Sequence, residues 1–226
     1  MARLVLFDLD NTLLDRTTAF ARWAQEFIAA NRLSARAWPV IEAADEDGMA
    51  PRERFFAEIR EHLSISTDIE DLLAGYHVEY PRYFTVDRET VAAVRNLRAR
   101  GWKVGVVTNG PPSQLAKLEV TDLVGEFDAI CISAVVGAWK PDRLIFEEAA
   151  RICGVPLEGW MVGDSAAADI EGGKRAGLRT VWMARGRTWQ ASESPPDAVA
   201  KTIPEAVEII LGSDIVRHET PRNITS

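Results

Sequence analysis

Short apolar runs rich in β-branched residues alternate along this chain with amphipathic stretches that stop at glycine. That alternation limits the fold more than any other feature. Residues 3–9, 103–108, 129–133, 160–163 and 180–183 read as buried strands, being short and apolar. Helical patterns over 91–100, 144–153 and 170–176 run up to Gly101, Gly154 and Gly177, the residue type that most readily ends a helix. Pro141 is placed to open one helix, where its missing N–H costs nothing. The pattern predicts an α/β fold: a doubly wound parallel sheet with helices on both faces.

One segment breaks the alternation. From Thr17 to Tyr83 the chain shows helical periodicity and no strand. Phe20, Trp23, Ala24, Phe27 and Ile28 follow a helical template, as do Ile69, Leu72, Leu73 and Tyr76. Thr67 and Glu70 have capping-box spacing ahead of the second, and Phe55, Ile59 and Leu63 mark a third helix. The expected organisation is a core of residues 1–16 and 84–212, an inserted all-helical unit over 17–83, and a loosely ordered tail over 213–226. Residues 192–196 read as a turn-rich loop. An insertion after the first strand's C-terminal end would overlie the ligand crevice of such a sheet, as a lid.

With 26 basic against 34 acidic residues the net charge is −8, which gives no general attraction for nucleic acid or an anionic membrane. No apolar run is long enough to span a bilayer, and the opening MARLVLFDLD turns acidic too soon for a signal peptide. Cys131 and Cys153 form no C-x-x-C pair and read as buried thiols. The expected location is the cytoplasm. The sequence leaves monomer or homodimer open.

The strongest chemical signal is FDLDNTLLD. Asp8 and Asp10 follow a buried strand, where two carboxylates can converge as a nucleophile and a general acid/base sharing a divalent cation. Aspartate and asparagine also suit turns. Three further features fall at predicted strand ends. Thr108-Asn109-Gly110 offers a hydroxyl, an amide and a glycine to an oxyanion, and Lys140-Pro141 precedes a helix. GDSAAAD places Asp164 and Asp169 at another strand end. Open α/β sheets bind ligands along that edge.

In this order and after these strands, DLDNT, T-N-G, K-P and GDSAAAD resemble the haloacid dehalogenase-like hydrolase superfamily. The resemblance frames residues 1–185 and implies a Rossmann-like core of strand order 5-4-1-2-3, a helical cap after the first strand, and an aspartyl-phosphate mechanism with Mg²⁺. It implies Asp8 as nucleophile and Asp10 as acid toward the leaving alcohol and base toward water. Thr108 and the Asn109 backbone would hold phosphoryl oxygens, and Lys140 would offset the charge on Asp8 and the phosphate. Asp8, the Asp10 backbone carbonyl, Asp164 and Asp169 would hold Mg²⁺, Asp169 directly or through water. Other readings stay open: Asp169 could cap a helix, Thr108 could merely end a strand, and Asn109 could serve the turn.

Within the superfamily, Asp10 separates this chain from dehalogenases and phosphonatases, which replace the second aspartate. Leu9 and the lack of spans separate it from P-type ATPases. The resemblance therefore implies a phosphatase acting on a small phosphorylated metabolite. A phosphotransferase or phosphosugar mutase is the alternative, as is a phosphoacceptor or pseudo-enzyme binding protein. Arg16, Phe20, Arg52 and Arg54 are candidates for substrate contact, and the arginines could hold a second anionic group, against an ordinary solvated helix face. His62, His77 and His218 read as structural or surface residues.

Overall fold

A computed structural model describes residues 3–190 and 194–218, without the side chains of 214–218. In chain order, β1 (Leu4–Phe7) is followed by four helices: α1 (Arg16–Ala30), α2 (Ala37–Asp45), α3 (Arg52–His62) and α4 (Ile69–Glu79). Alternation then begins with α5 (Arg88–Ala99), β2 (Lys103–Thr108), α6 (Gln114–Val120) and β3 (Ala129–Ile132). It continues with α7 (Ser133–Val136), α8 (Arg143–Cys153), β4 (Gly159–Gly163), α9 (Gly172–Arg175) and β5 (Arg179–Met183). The chain closes with β6 (Ala198–Ala200) and α10 (Ile203–His218). Two compact units result: residues up to Leu14 with those from Val86 on, and Asp15–Thr85.

The first unit is an α/β, Rossmann-like unit. Its six strands pair in parallel in the order β3-β2-β1-β4-β5-β6. This contains the expected five-strand order and adds β6, whose Ala-Val-Ala carries too little apolar bulk to be legible. All four residues of β1 are buried, as a central parallel strand requires. Alternation sends Leu4 and Leu6 into a cluster with Ile145, Phe146 and Ala149 of α8, while Phe7 meets Phe127 edge-on. Register sets the site: Phe7 lies between Val106 of β2 and Val162 of β4. The residues that follow these strands therefore emerge side by side.

Three local expectations need correction. Asp142, in an extended conformation, caps α8 by accepting from the Leu144 N–H at 3.0 Å, so the helix starts at Arg143 and Pro141 lies before it. The Lys140–Pro141 bond is cis. The helix expected over 170–176 is a wide turn of π type over Ala166–Glu171 that leads into α9. At the C-terminus α10 is helical through His218, beyond the expected start of the tail at Ser213. Residues 219–226 of that tail, and Ser192 and Glu193 of the expected loop, lie outside the described residues.

The second unit, Asp15–Thr85, is all-helical apart from its turns. Asp15 caps α1, accepting from the Thr18 N–H at 3.0 Å. Asp68 rather than Thr67 stands at the start of α4 and makes no side-chain cap bond. An aromatic core fills the interior: Trp23 meets Tyr76 edge-on at 4.9 Å, and Phe55 meets Phe56 likewise at 4.9 Å. Each such pair contributes about 0.5–1.5 kcal/mol beyond its buried area. Within this core Asp45 receives both Arg16, at 2.6 Å, and Arg52, at 2.9 Å. Arg16 and Arg52 are thus internal to the unit rather than a solvated face. Arg54 is exposed and paired with Glu46 at 2.6 Å.

Candidate active site

The site assembles at the C-terminal edge of the sheet, from loops that leave β1, β2, β3 and β4. After β1 the chain turns tightly: the Leu9 carbonyl accepts from the N–H groups of Leu13 and Leu14, each at 3.0 Å. Asn11 takes a left-handed conformation, φ 60°, which asparagine tolerates better than most residues. The turn leaves Asp8 buried beside the end of β4, its N–H donating to the Val162 carbonyl at 2.9 Å.

Lys140 is the electrostatic centre. Its ammonium donates to Asp8 Oδ1 at 2.6 Å and to Asp169 Oδ1 at 2.8 Å, with the lysine side chain only 2% exposed. Burial alone would lower the Lys140 pKa, but Asp169 and Asp8 raise it above the ordinary lysine range. Burial pushes Asp8 up to about 7; Lys140 opposes the shift and Asp169 adds to it. Asp169 is raised by burial as well, against the pull of Lys140. A buried ammonium left without such partners would cost several kcal/mol, so the lysine and the two aspartates depend on one another.

The wide turn after β4 sets the second pair of carboxylates, Asp164 and Asp169. Asp169 Oδ2 accepts from the Ser165 N–H at 2.9 Å, while the Ser165 hydroxyl caps the turn through the Ala168 N–H. Asp169 therefore points inward from the turn, and α9 has no side-chain cap. Gly163 makes room for it: a Cβ at that position would lie 2.3 Å from the Asp169 carboxyl carbon. Asp164 accepts on Oδ2 from Arg185 at 2.9 Å and from Arg187 at 3.1 Å. Burial raises the Asp164 pKa, with Asp8 adding to it and the two arginines opposing.

Asp8, Asp164 and Asp169 each bring a carboxylate oxygen within 4.8 Å of the others. Hard oxygen donors gathered this closely fit Mg²⁺. The Asp10 carboxylate is not one of these three: Lys117 donates to its Oδ1 at 2.7 Å and its Oδ2 at 2.6 Å. Thr108 is buried at the end of β2, with its Oγ1 accepting from Gln114 Nε2 at 2.9 Å. The Asn109 side chain is fully engaged with the backbone of Lys140, so its amide is a clamp rather than part of an anion cradle.

All seven residues singled out from the sequence thus lie along one edge of the sheet. Arg187 lies in the stretch 186–189, whose place after the fifth strand already brings it toward the site. Three participants carry no such signal: Gln114 and Lys117 sit on α6, and Arg185 follows β5. Polar residues without a motif carry no signal for such contacts, which span up to 107 positions in the case of Lys117 and Asp10.

A family model described as haloacid dehalogenase-like hydrolase matches residues 2–177. The phosphoserine phosphatase of Thermus thermophilus is 34% identical over 189 residues, which covers 81% of this chain and 76% of that protein. The glyceraldehyde 3-phosphate phosphatase of Pyrococcus abyssi is 30% identical over 203 residues, 83% of each chain. Among solved structures, a HAD phosphatase from Thermococcus onnurineus is similar with a TM-score of 0.64 at 26% identity, covering 92% of this chain and 97% of that one.

Proposed function

We propose, from the premise that this chain belongs to the haloacid dehalogenase-like hydrolase family, that it is a Mg²⁺-dependent phosphatase of a small phosphomonoester, working through an aspartyl-phosphate on Asp8. The observation that carries the reading is the position of Asp8. It is held by Lys140 on one oxygen and lies within 4.8 Å of the Asp164 and Asp169 carboxylates. The relatives named as phosphatases of phosphoserine and of glyceraldehyde 3-phosphate support the reaction class and a small substrate.

In this reading a carboxylate oxygen of Asp8 attacks phosphorus and the bond from phosphorus to the ester oxygen breaks. Asp10 gives its proton to the departing alcohol. Asp10 then takes a proton from water as the water oxygen attacks the same phosphorus, which releases phosphate and restores Asp8. Lys140 offsets the negative charge gathered between Asp8 and the phosphoryl group. The Thr108 hydroxyl and the Asn109 backbone hold phosphoryl oxygens. Asp8, Asp164, Asp169 and the Asp10 carbonyl would hold Mg²⁺, which supplies charge stabilisation to the transferring phosphoryl group when bound.

Among the described residues no helix is long and apolar enough to cross a membrane. Cys131 and Cys153 are buried free thiols, which suits the reducing cytoplasm proposed as the place of action.

The test is a panel of phosphomonoesters covering sugar phosphates, nucleotides and small phospho-acids, assayed with and without Mg²⁺. Turnover that needs Mg²⁺ and vanishes in Asp8→Asn is expected. Hydrolysis that survives in Asp8→Asn, or no hydrolysis of any phosphomonoester, overturns the reading.

A further inference from the structure

We propose that Lys117 is the positioning residue for Asp10, with Gln114 as its second anchor; the inference rests on the site reading above. Lys117 lies on α6, 6% exposed, although its length and charge would suit the surface. Its ammonium donates to both oxygens of Asp10, at 2.7 and 2.6 Å. Two contacts from one donor fix the plane of the carboxylate as well as its distance.

Gln114 precedes Lys117 by three positions and shares its helix face. Its Nε2 donates to Asp10 Oδ2 at 3.0 Å and to Thr108 Oγ1 at 2.9 Å. One amide thereby ties the orientation of Asp10 to that of the residue ending β2. The approach is made possible by Gly110, with φ 154°: a Cβ there would come within 2.8 Å of the Gln114 Cγ. Two side chains from a single helix face thus converge on the Asp10 head group, with Gly110 making room for one of them.

Burying an ammonium against a carboxylate gains little over an apolar pair of the same volume. Its distinctive yield is direction. Asp10 must meet the ester oxygen in one half-reaction and a water in the next, at nearly the same place. A carboxylate free to rotate about its side-chain bonds would reach that place only part of the time. Lys117 and Gln114 hold it there without touching the substrate.

The test is kcat/KM, which reports phosphoenzyme formation alone, on phosphomonoesters graded from activated aryl to alkyl leaving groups. Activated aryl oxygens leave without a proton, so only the alkyl end of the series needs Asp10. Lys117→Met is expected to lose on the order of 10²-fold with alkyl esters and less than about threefold with activated aryl esters. In an Asp10→Asn background the same substitution should have almost no further effect. Lys117→Arg should recover part of the loss, and it serves alone if Lys117→Met does not fold. Equal losses across the series, or an undiminished loss in the Asp10→Asn background, overturn the positioning role. If the wild-type protein hydrolyses no ester in the series, the phosphatase reading fails and this inference falls with it. Wild-type turnover with leaving-group-independent losses removes the positioning role only.

Discussion

Asn109 and Lys140 exchange two hydrogen bonds: the Asn109 Nδ2 donates to the Lys140 carbonyl at 2.9 Å, and the Lys140 N–H donates to the Asn109 Oδ1 at 2.8 Å. The clamp ties the loop after β2 to the lysine that binds Asp8 and Asp169. Asn109→Ala removes both bonds and leaves a part-buried donor and acceptor unmet, at about 1–3 kcal/mol. The expected outcome is a lower melting temperature together with a fall in kcat of roughly tenfold, about 1.4 kcal/mol. Asn109→Asp keeps the acceptor but sets a carboxylate against the Lys140 carbonyl, and should recover neither quantity. Steady-state kinetics and thermal unfolding of both variants check this.

Burial raises the pKa of Asp8 to about 7 and raises those of Asp164 and Asp169 as well. In the metal-free protein the native state therefore keeps protons that the unfolded chain has already released near its ordinary value of 3.8. The contribution of Asp8 to stability falls as pH rises between 3.8 and about 7, and Asp164 and Asp169 shift in the same direction. A divalent cation binds only the ionised carboxylates. Added Mg²⁺ should therefore raise the melting temperature more at about pH 8 than at about pH 5, where protons compete. Melting curves with and without Mg²⁺ across that range are the measurement; an equal rise at both ends, or a larger one at the acid end, would contradict it.

Gly163→Ala places a methyl group 2.3 Å from the Asp169 carboxyl carbon. Asp169 is fully buried and bonded on both oxygens, so it cannot yield without releasing Lys140 or the Ser165 N–H. Activity should drop by at least about tenfold, and the Mg²⁺-induced rise in melting temperature should shrink.

In the helical unit, Asp45 is the shared acceptor of Arg16 and Arg52. Asp45→Ala takes the carboxylate from a deeply buried Arg16 and from Arg52, which keeps its bonds to the Ala50 carbonyl, at a cost of about 3–5 kcal/mol. Replacing Arg16 with Met in the same chain should return part of that loss, because a buried apolar group needs no partner. Denaturant unfolding of the single and double variants measures it. Additive losses would count against the pair acting as a unit.

The buried strands were legible because a parallel strand covered on both faces must be a run of apolar residues, and β1 through β5 are such runs. α6 was not, because Gln114 and Lys117 turn polar groups inward and break the apolar stripe that marks a helix. β6 was too short and α2, with Pro39 inside it, too irregular for the same periodicity.

By itself the amino-acid order determined the α/β core, the helical interruption and the carboxylates, hydroxyl and lysine that stand at its strand ends. These follow from local rules: side-chain apolarity, helical spacing and the residue just past a strand. Tertiary structure alone decided which oxygen meets which donor. It put Lys140 between Asp8 and Asp169, gave Asp10 to Lys117, and turned the Asn109 amide from an anion ligand into a clamp. Such pairings join residues far apart in the chain, and their geometry depends on strand register and on the absence of a Cβ at Gly163 and Gly110.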